Sequence, residues 1–494
     1  MTVESAKVFD VVVAGAGLSG LAVAEAILRR VPRASVLCLE ARERTGGCIR
    51  TIRRDGFVME AGPGGFLDRT GAMRRLAAAL GMEDRLIQSN SGKQVRWIQR
   101  GGRLHRFPSS VVGFLRSDLL SARGKLRMLA EPFQATHEGE ETVDAFASRR
   151  LGAEAASVLV DPIVSGIYAA DAAQVSLQAS LPELATIASS NRLLLSTFLR
   201  STGKVNPLLS FRDGCEDLTD ELELRVLSTE RGSIRCDAPI EAVQGSDGNG
   251  TGFRVRVGGA HPELIRCRAF VSAAPANAAS RFFSSLDAHI AWQLAQVRYA
   301  SVAVISLGYR REDVPHPLNG FGYLIPRCED SPVLGVQWSS SIYPGQRAPT
   351  DTCELRLFLG GALHPTLARE AEDDLAAIAA GELRRTLSVR ATPLVCEVHR
   401  HTEAMPQYLL EHGKRVEDIE RRTREYPGLF IGGNGMRGLG MDSLVRDAEL
   451  QTDLVIQHLE RSTPAHLGAS LYPDRLASGS DQRVTIAGDS SPNP

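Results

Sequence analysis

The stretch Val11-Val12-Val13-Ala14-Gly15-Ala16-Gly17-Leu18-Ser19-Gly20 constrains this chain more than any other. A β-branched run that stops in glycines spaced Gly-x-Gly-x-x-Gly is a strand turning sharply into a helix. Gly15 allows the tight turn, Gly17 lets the backbone approach a pyrophosphate, and Gly20 lets the helix pack on the strand. The helical pattern Leu21, Ala24, Ile27, Leu28 follows, and a second strand, Ser35 to Glu40, comes next. Glu40 falls about 20 residues beyond the last glycine, where a carboxylate at a strand end accepts ribose hydroxyls. The segment predicts a βαβ unit with a dinucleotide pyrophosphate on the helix N-terminus. Arg44-Thr45-Gly46-Gly47, shortly after Glu40 and Ala41, points to a flavin dinucleotide.

At 494 residues the chain exceeds a single core, so roughly two to three domains are expected, and 43% hydrophobic content can fill them. A net charge of -1 argues against nucleic acid as a partner. The eight cysteines are scattered with no Cys-x-x-Cys pair, which predicts reduced, mostly buried thiols in a cytoplasmic protein and no metal site. Met1 to Asp10 lacks the pattern of a signal peptide, and no apolar run approaches the ~18 residues needed to cross a bilayer. The expectation is a protein that is neither translocated nor membrane-spanning.

Further on, Gly56 to Phe66 is an extended run ending in a Gly/Pro cluster. It suits either a plain loop or bare backbone beside a flat cofactor. Val95 to Gln99 and Leu104 to Phe107 flank Gly101-Gly102 as a hairpin. Residues 103 to 130 mix apolar side chains with Arg103, Arg106, Arg116, Arg123, Lys125 and Arg127 against the lone anion Asp118. Such a segment can lie on an anionic membrane surface or form a helical pair with a solvated basic face. Helices continue to about residue 200, with caps at Thr142 and Ser176 and a buried-looking stretch Ala155 to Tyr168. Strands dominate 297 to 360, a helix covers Glu370 to Leu387, and a last helix runs from Met441 to about Leu459. The Ser/Gly/Asp/Pro-rich tail after Arg461 has the composition of a disordered segment.

In order along the chain stand the fingerprint, Glu40, Arg44 to Gly47, Ala61-Gly62-Pro63-Gly64, and the closing Ile431-Gly432-Gly433-Asn434. Between them lie Arg96-Trp97 before Gly101-Gly102-Arg103-Leu104-His105, then Ser165 to Asp171, Gly320 to Pro326, Leu359-Gly360-Gly361 and Met405-Pro406-Gln407-Tyr408. With these landmarks the chain resembles, up to about residue 460, the flavin-dependent protoporphyrinogen or coproporphyrinogen oxidases, relatives of monoamine oxidase and phytoene desaturase. The resemblance implies an α/β architecture: a Rossmann-like FAD-binding domain (1–90, 205–290 and 400–460), an inserted, mainly antiparallel β substrate domain (91–104 and 291–399) and a helical domain (105–204), with 461–494 as the tail. It implies non-covalent FAD, because no cysteine lies in Ile431 to Asp442. The cofactor residues it implies are Gly15, Ala16, Gly17, Leu18, Ser19, Gly20, Glu40, Ala41, Arg44, Gly46, Gly47, Ala61, Gly62, Pro63, Gly64, Ile240, Asn434, Leu439, Gly440 and Met441.

For the substrate, a large flexible tetrapyrrole with carboxylates at its edge, the resemblance implies apolar walls from Phe321 and Leu324, pocket segments at Gly166 and Phe358, and a propionate held by Arg96. Arg103, Arg192 and Lys204 are candidate additional anchors. The implied reaction is a six-electron oxidation to the porphyrin with oxygen as acceptor, by hydride transfer to flavin N5 and without a side-chain acid or base. Protoporphyrinogen is preferred over coproporphyrinogen because the basic-apolar segment suits an apolar product. An amine oxidase or carotenoid desaturase and a non-catalytic flavin-fold protein are the competing readings. A homodimer and a peripheral contact with the inner face of the cell membrane stay open. Cys48, Ala170, Cys215, Glu411 and Met441-Asp442-Ser443 depart from the family pattern, Ala170, Cys215 and Glu411 replacing glycines.

Overall fold

Val11, Val12 and Val13 are fully buried in the strand Val8–Ala14, which accounts for an apolar run with no polar alternation. In this computed structural model, which describes residues 8–90, 95–108, 110–134, 137–189, 207–246 and 252–462, that strand lies inside a seven-stranded sheet. It pairs in parallel with Val36–Leu39 on one side and Glu263–Ser272 on the other. Gly232–Arg235 and Leu429–Ile431 extend the parallel part, and Ile240–Gly245 with Phe253–Val257 adds an antiparallel edge. Leu21 and Ile27 of the helix Leu18–Arg30 share one core with Leu218 and Leu222 of Glu216–Leu227 and with Val445 and Val455 of Met441–Arg461. On the opposite face, Phe282, Phe283 and Leu294 pack on Val12 and Phe270. Helices over both faces of a mostly parallel sheet make this a doubly wound α/β layer.

A second seven-stranded sheet has the order Val395–Gln407, Arg298–Arg310, Thr352–Gly360, Val333–Gln337, Gly322–Leu324, Arg96–Arg100, Arg103–Arg106. Its pairs are antiparallel except that Gly322–Leu324 runs parallel to Arg96–Arg100. Leu355, Leu357 and Leu359 pack with Leu375, Ala379 and Leu383 of the helix Glu372–Leu387. Side chains alternate along a strand, so Glu354, Arg356 and Phe358 share the other face. Val395–Gln407 pairs with Arg298–Arg310 across its whole length, so this sheet runs through the boundary expected at residue 399 and ends at Gln407.

The helical region contains Val111–Arg116, Ala122–Leu129 and Val143–Leu151, whose cap hydroxyls on Ser110, Ser121 and Thr142 accept from amides three residues on, as Ser176 does for Leu177–Ser180. The stretch Ala155 to Tyr168 is not one regular helix: a π-helical turn over Ala156–Val160 precedes Asp161–Tyr168. Pro162 lacks the N–H that would continue the ladder there. Four of the eight cysteines are buried, Cys38, Cys215, Cys267 and Cys353. Cys48 and Cys328 are exposed instead, because each sits in a turn rather than in an element facing a core. Arg192, Lys204 and the tail from residue 463 lie outside the described residues. Among the described residues no helix is long and apolar enough to cross a membrane.

Glu411, one of the glycine replacements, heads the helix His412–Thr423 at φ +68°. A side chain costs about 1 kcal/mol in that region. Glu411→Gly is therefore expected to raise stability by about 1 kcal/mol in chemical denaturation, and an unchanged or lowered midpoint would show that the Glu411 side chain offsets the strain.

Candidate functional site

At the start of the first strand-to-helix turn, Gly15 has φ +93° and its amide donates to Leu39 O at 2.7 Å. A Cβ on Gly20 would lie 1.8 Å from Gly15 O, so the helix can approach the strand only without one. Ala16, Leu18 and Ser19 are buried around this turn. The Gly46 amide donates to Ala16 O at 2.8 Å, and a Cβ on Gly47 would lie 3.3 Å from Gly17 Cα. Two glycine turns thus lie side by side and leave backbone, not side chain, on their shared surface.

Glu40 is buried, its Oε2 accepting from Ala16 N at 2.9 Å and its Oε1 from Arg42 N at 3.0 Å. The carboxylate therefore ties the end of one strand to the glycine turn of the next. Ala41 is exposed beside it, and Ala238 N donates to Glu40 O at 2.9 Å, which brings the segment leading to Ile240 against the same strand end. Arg44 is folded back: Nη1 donates to Thr45 O at 2.7 Å and Ile49 O at 3.1 Å, and Nη2 to Gly47 O at 2.9 Å. It staples the second glycine turn with its own guanidinium.

The segment Ala61 to Gly64 packs on that turn, where a Cβ on Gly62 would lie 1.9 Å from Cys48 O. His401 Nε2 donates to Ala61 O at 2.7 Å, and burial holds the imidazole below its ordinary pKa, so it is neutral at pH 7. From the far end of the chain, Gly433 N donates to Asp447 Oδ2 at 3.0 Å, and the Tyr408 hydroxyl donates to Asn434 O. Leu439 is half-buried, and Gly440 caps the helix that begins at Met441. In its first turn Asp442 accepts from Thr70 N and Oγ1, both at 3.0 Å. Burial, and then the Asp442 carboxylate, raise the pKa of Asp68 beside it. An acid pair at a helix N-terminus is the structural consequence of the unusual Met441-Asp442-Ser443.

The residues fit a dinucleotide. Gly17 and Gly47 leave bare backbone facing each other across the two turns, Gly20 and Gly62 let the neighbouring backbone pack close enough to form them, and the helix N-terminus supplies amides and a favourable dipole for phosphates.

On the second sheet, Arg96 is opposite Gly322, and its Cζ lies 5.9 Å from the Phe321 ring centroid. Leu324 is opposite Gly335, which is opposite Phe358. A Cβ on Gly166 would lie 2.4 Å from Leu324 Cδ2, so the helix Asp161–Tyr168 meets the sheet at this glycine. The structure brings Arg96 together with Phe321 and puts Leu324 and Phe358 on the same sheet, with Gly166 of the helix Asp161–Tyr168 against Leu324. Sequence reasoning missed Arg356 and His401. The signal available for Arg356 was the alternation Glu354, Arg356, Phe358 within an apolar strand, since a charge in such a strand is either exposed or paired in the interior.

Fold and site together define a flavin oxidoreductase. The family of flavin-containing amine oxidoreductases matches residues 18–455, and the chain belongs to it, with FAD as cofactor. The chain is 29% identical to chloroplastic protoporphyrinogen oxidase of Nicotiana tabacum over 89% of this chain and 84% of that one. It is 25% identical to coproporphyrinogen III oxidase of Bacillus subtilis (strain 168), over 88% and 95%. A solved structure from Exiguobacterium sp. 255-15 shares the fold at TM-score 0.79 and 24% identity, covering 92% of this chain and 99% of that one.

Gly20→Ala is expected to abolish FAD loading, read as flavin per purified chain, because the added methyl must displace Gly15. A yellow variant with full FAD content would contradict the role given to that contact.

Proposed function

We propose that the chain oxidises protoporphyrinogen IX to protoporphyrin IX, a six-electron oxidation with oxygen as final acceptor. The observation that carries this reading is a single sheet surface with a cation at one end and apolar walls along it. FAD supplies a hydride acceptor at N5 and passes electrons to oxygen.

The chain's own residues supply recognition and shape. Arg96 holds a propionate, a role suited to its two-donor fork. Gly335, between Leu324 and Phe358, leaves room for the Leu324 side chain, since a Cβ there would lie 3.0 Å from Leu324 Cδ2. Leu324 and Phe358 keep water from the reacting carbon, and Phe321 lines the approach beside Arg96. The domain division rests on the two sheets and the helical region between them: the doubly wound layer binds FAD, and the second sheet binds substrate. Coproporphyrinogen III, which the Bacillus subtilis relative oxidises by its name, is the alternative substrate, and it needs more cations than Arg96 provides.

We assign a peripheral membrane contact to the helical region. Val112, Leu115, Leu126, Leu129 and Phe133 are exposed there on two short helices and the turn after them, with Arg116 and Arg123 exposed among them. Apolar side chains edged by cations suit an anionic lipid surface. Phe114, Leu119, Leu120 and Met128 of the same segment are buried and anchor it to the protein.

Porphyrin fluorescence on adding each porphyrinogen in air tests the main reading: the purified yellow protein should produce porphyrin, and silence with both substrates would overturn it. Arg96→Ala should raise KM about tenfold or more, from the loss of a charge-assisted contact of about 1.5–3 kcal/mol, with FAD content unchanged. Loss of FAD from that variant would make Arg96 structural. For the membrane contact, the protein should sediment with phosphatidylglycerol vesicles and Phe133→Asp should weaken this; equal binding by both would remove the assigned face.

A further inference from the structure

Arg356 is only 2% exposed, and it lies on the sheet face that carries the wall residue Phe358. Its contacts run in two directions. Nη2 donates to the Gly62 carbonyl and Nη1 to Gln337 Oε1 at 3.3 Å, while Cζ stands 4.7 Å from the Phe358 ring centroid. Gly64 has no room for a side chain on account of the same group, since a Cβ there would lie 2.6 Å from Nη1. One guanidinium therefore touches both the segment Ala61 to Gly64, assigned to the flavin, and the ring of Phe358, assigned to the substrate.

A buried cation with this much carbonyl and ring contact needs charge compensation. Glu354, two residues earlier on the same face, and Glu60, itself 3.8 Å from the second buried guanidinium, Arg347, supply it in part: both favour the charged form of Arg356 against the burial that lowers its pKa. Burial pushes the Glu354 carboxyl up to about 7, and Arg356 is the foremost charge opposing that rise. Lysine cannot reproduce the arrangement. Its ammonium is a point donor, whereas the planar fork serves Gly62 and Gln337 in one plane and stacks on Phe358 through its face.

We propose that Arg356 is a positioning residue that sets the spacing between the flavin-bearing segment and the Phe358 wall. The proposal rests on the porphyrinogen reading for its substrate half and on the FAD assignment alone for its flavin half. Sub-ångström changes in the approach of a reacting carbon to its acceptor have large effects on rate, so this spacing matters to the reaction.

The test uses the FAD-loaded enzyme with Arg356→Lys, Arg356→Gln, Gly64→Ala, Phe358→Leu and the double variant Arg356→Gln/Phe358→Leu. Readouts are FAD content, the visible spectrum of the bound flavin, and kcat and KM per bound flavin. Arg356→Lys and Arg356→Gln should both shift the flavin bands and lower kcat about tenfold at retained FAD content, with no rescue by lysine. Gly64→Ala, which displaces Nη1 without removing it, should shift the bands in the same sense and covers the case in which position 356 tolerates no change. The kcat/KM losses of Arg356→Gln and Phe358→Leu should combine less than additively. Unshifted bands with additive losses, or full rescue by lysine, would overturn the proposal. If no porphyrinogen is a substrate, the flavin bands still decide, which separates failure here from failure of the proposed function.

Discussion

The closest approach in the molecule that matters is between two pieces of backbone. The first helix can lie against its strand only because Gly20 has no Cβ to meet Gly15 O. That contact aims the helix N-terminus at the end of the strand Val8–Ala14 and leaves the turn bare. The second glycine turn then docks on the first through Gly46 and Ala16, and Gly62 docks on the second through Cys48. Each approach depends on the one before it, and together they shape the bare-backbone surface to which we assign the flavin dinucleotide. Two side chains staple these turns, Glu40 across the strand ends and Arg44 around the second turn.

The two sheets divide the work along physical lines. The doubly wound layer buries apolar strands on both faces and offers its strand ends, where helix dipoles and amides converge. The second sheet buries one face on the helix Glu372–Leu387 and keeps the other for polar and aromatic groups. His401 and Arg356 reach from that second face to the Ala61 and Gly62 carbonyls. At these two points side chains of the second sheet grip backbone of the Ala61 to Gly64 segment, beside the side-chain pairs Arg54 with Glu397 and Asn277 with Glu403.

What could be read from the sequence was what local geometry decides. The glycine spacing, the Gly101-Gly102 hairpin and the caps at Thr142 and Ser176 each depend on a few adjacent residues. The strands between 297 and 360 were legible in the same way, as short runs rich in β-branched and apolar residues. Non-local features escaped. Val395–Gln407 belongs wholly to the second sheet because its partner is Arg298–Arg310, some 90 residues earlier, and no pattern within the strand records that pairing. One local feature also escaped, the π-helical turn before Asp161, where a single proline sits inside an otherwise helical pattern. Whether Arg356 is exposed or paired in the interior depends on Glu60, almost 300 residues earlier, which is buried as Arg356 is. Arg44 donates to three carbonyls of its own loop, contacts that the motif Arg44 to Gly47 does not record.

The central claim is that this FAD site and this sheet face act on one substrate. Anaerobic mixing of the purified flavoprotein with protoporphyrinogen IX tests it most directly, by following the flavin absorption and then admitting oxygen. The account predicts that the flavin band bleaches without oxygen and returns when oxygen enters, with porphyrin fluorescence rising in step. A flavin band that stays oxidised in the presence of the porphyrinogen would contradict it.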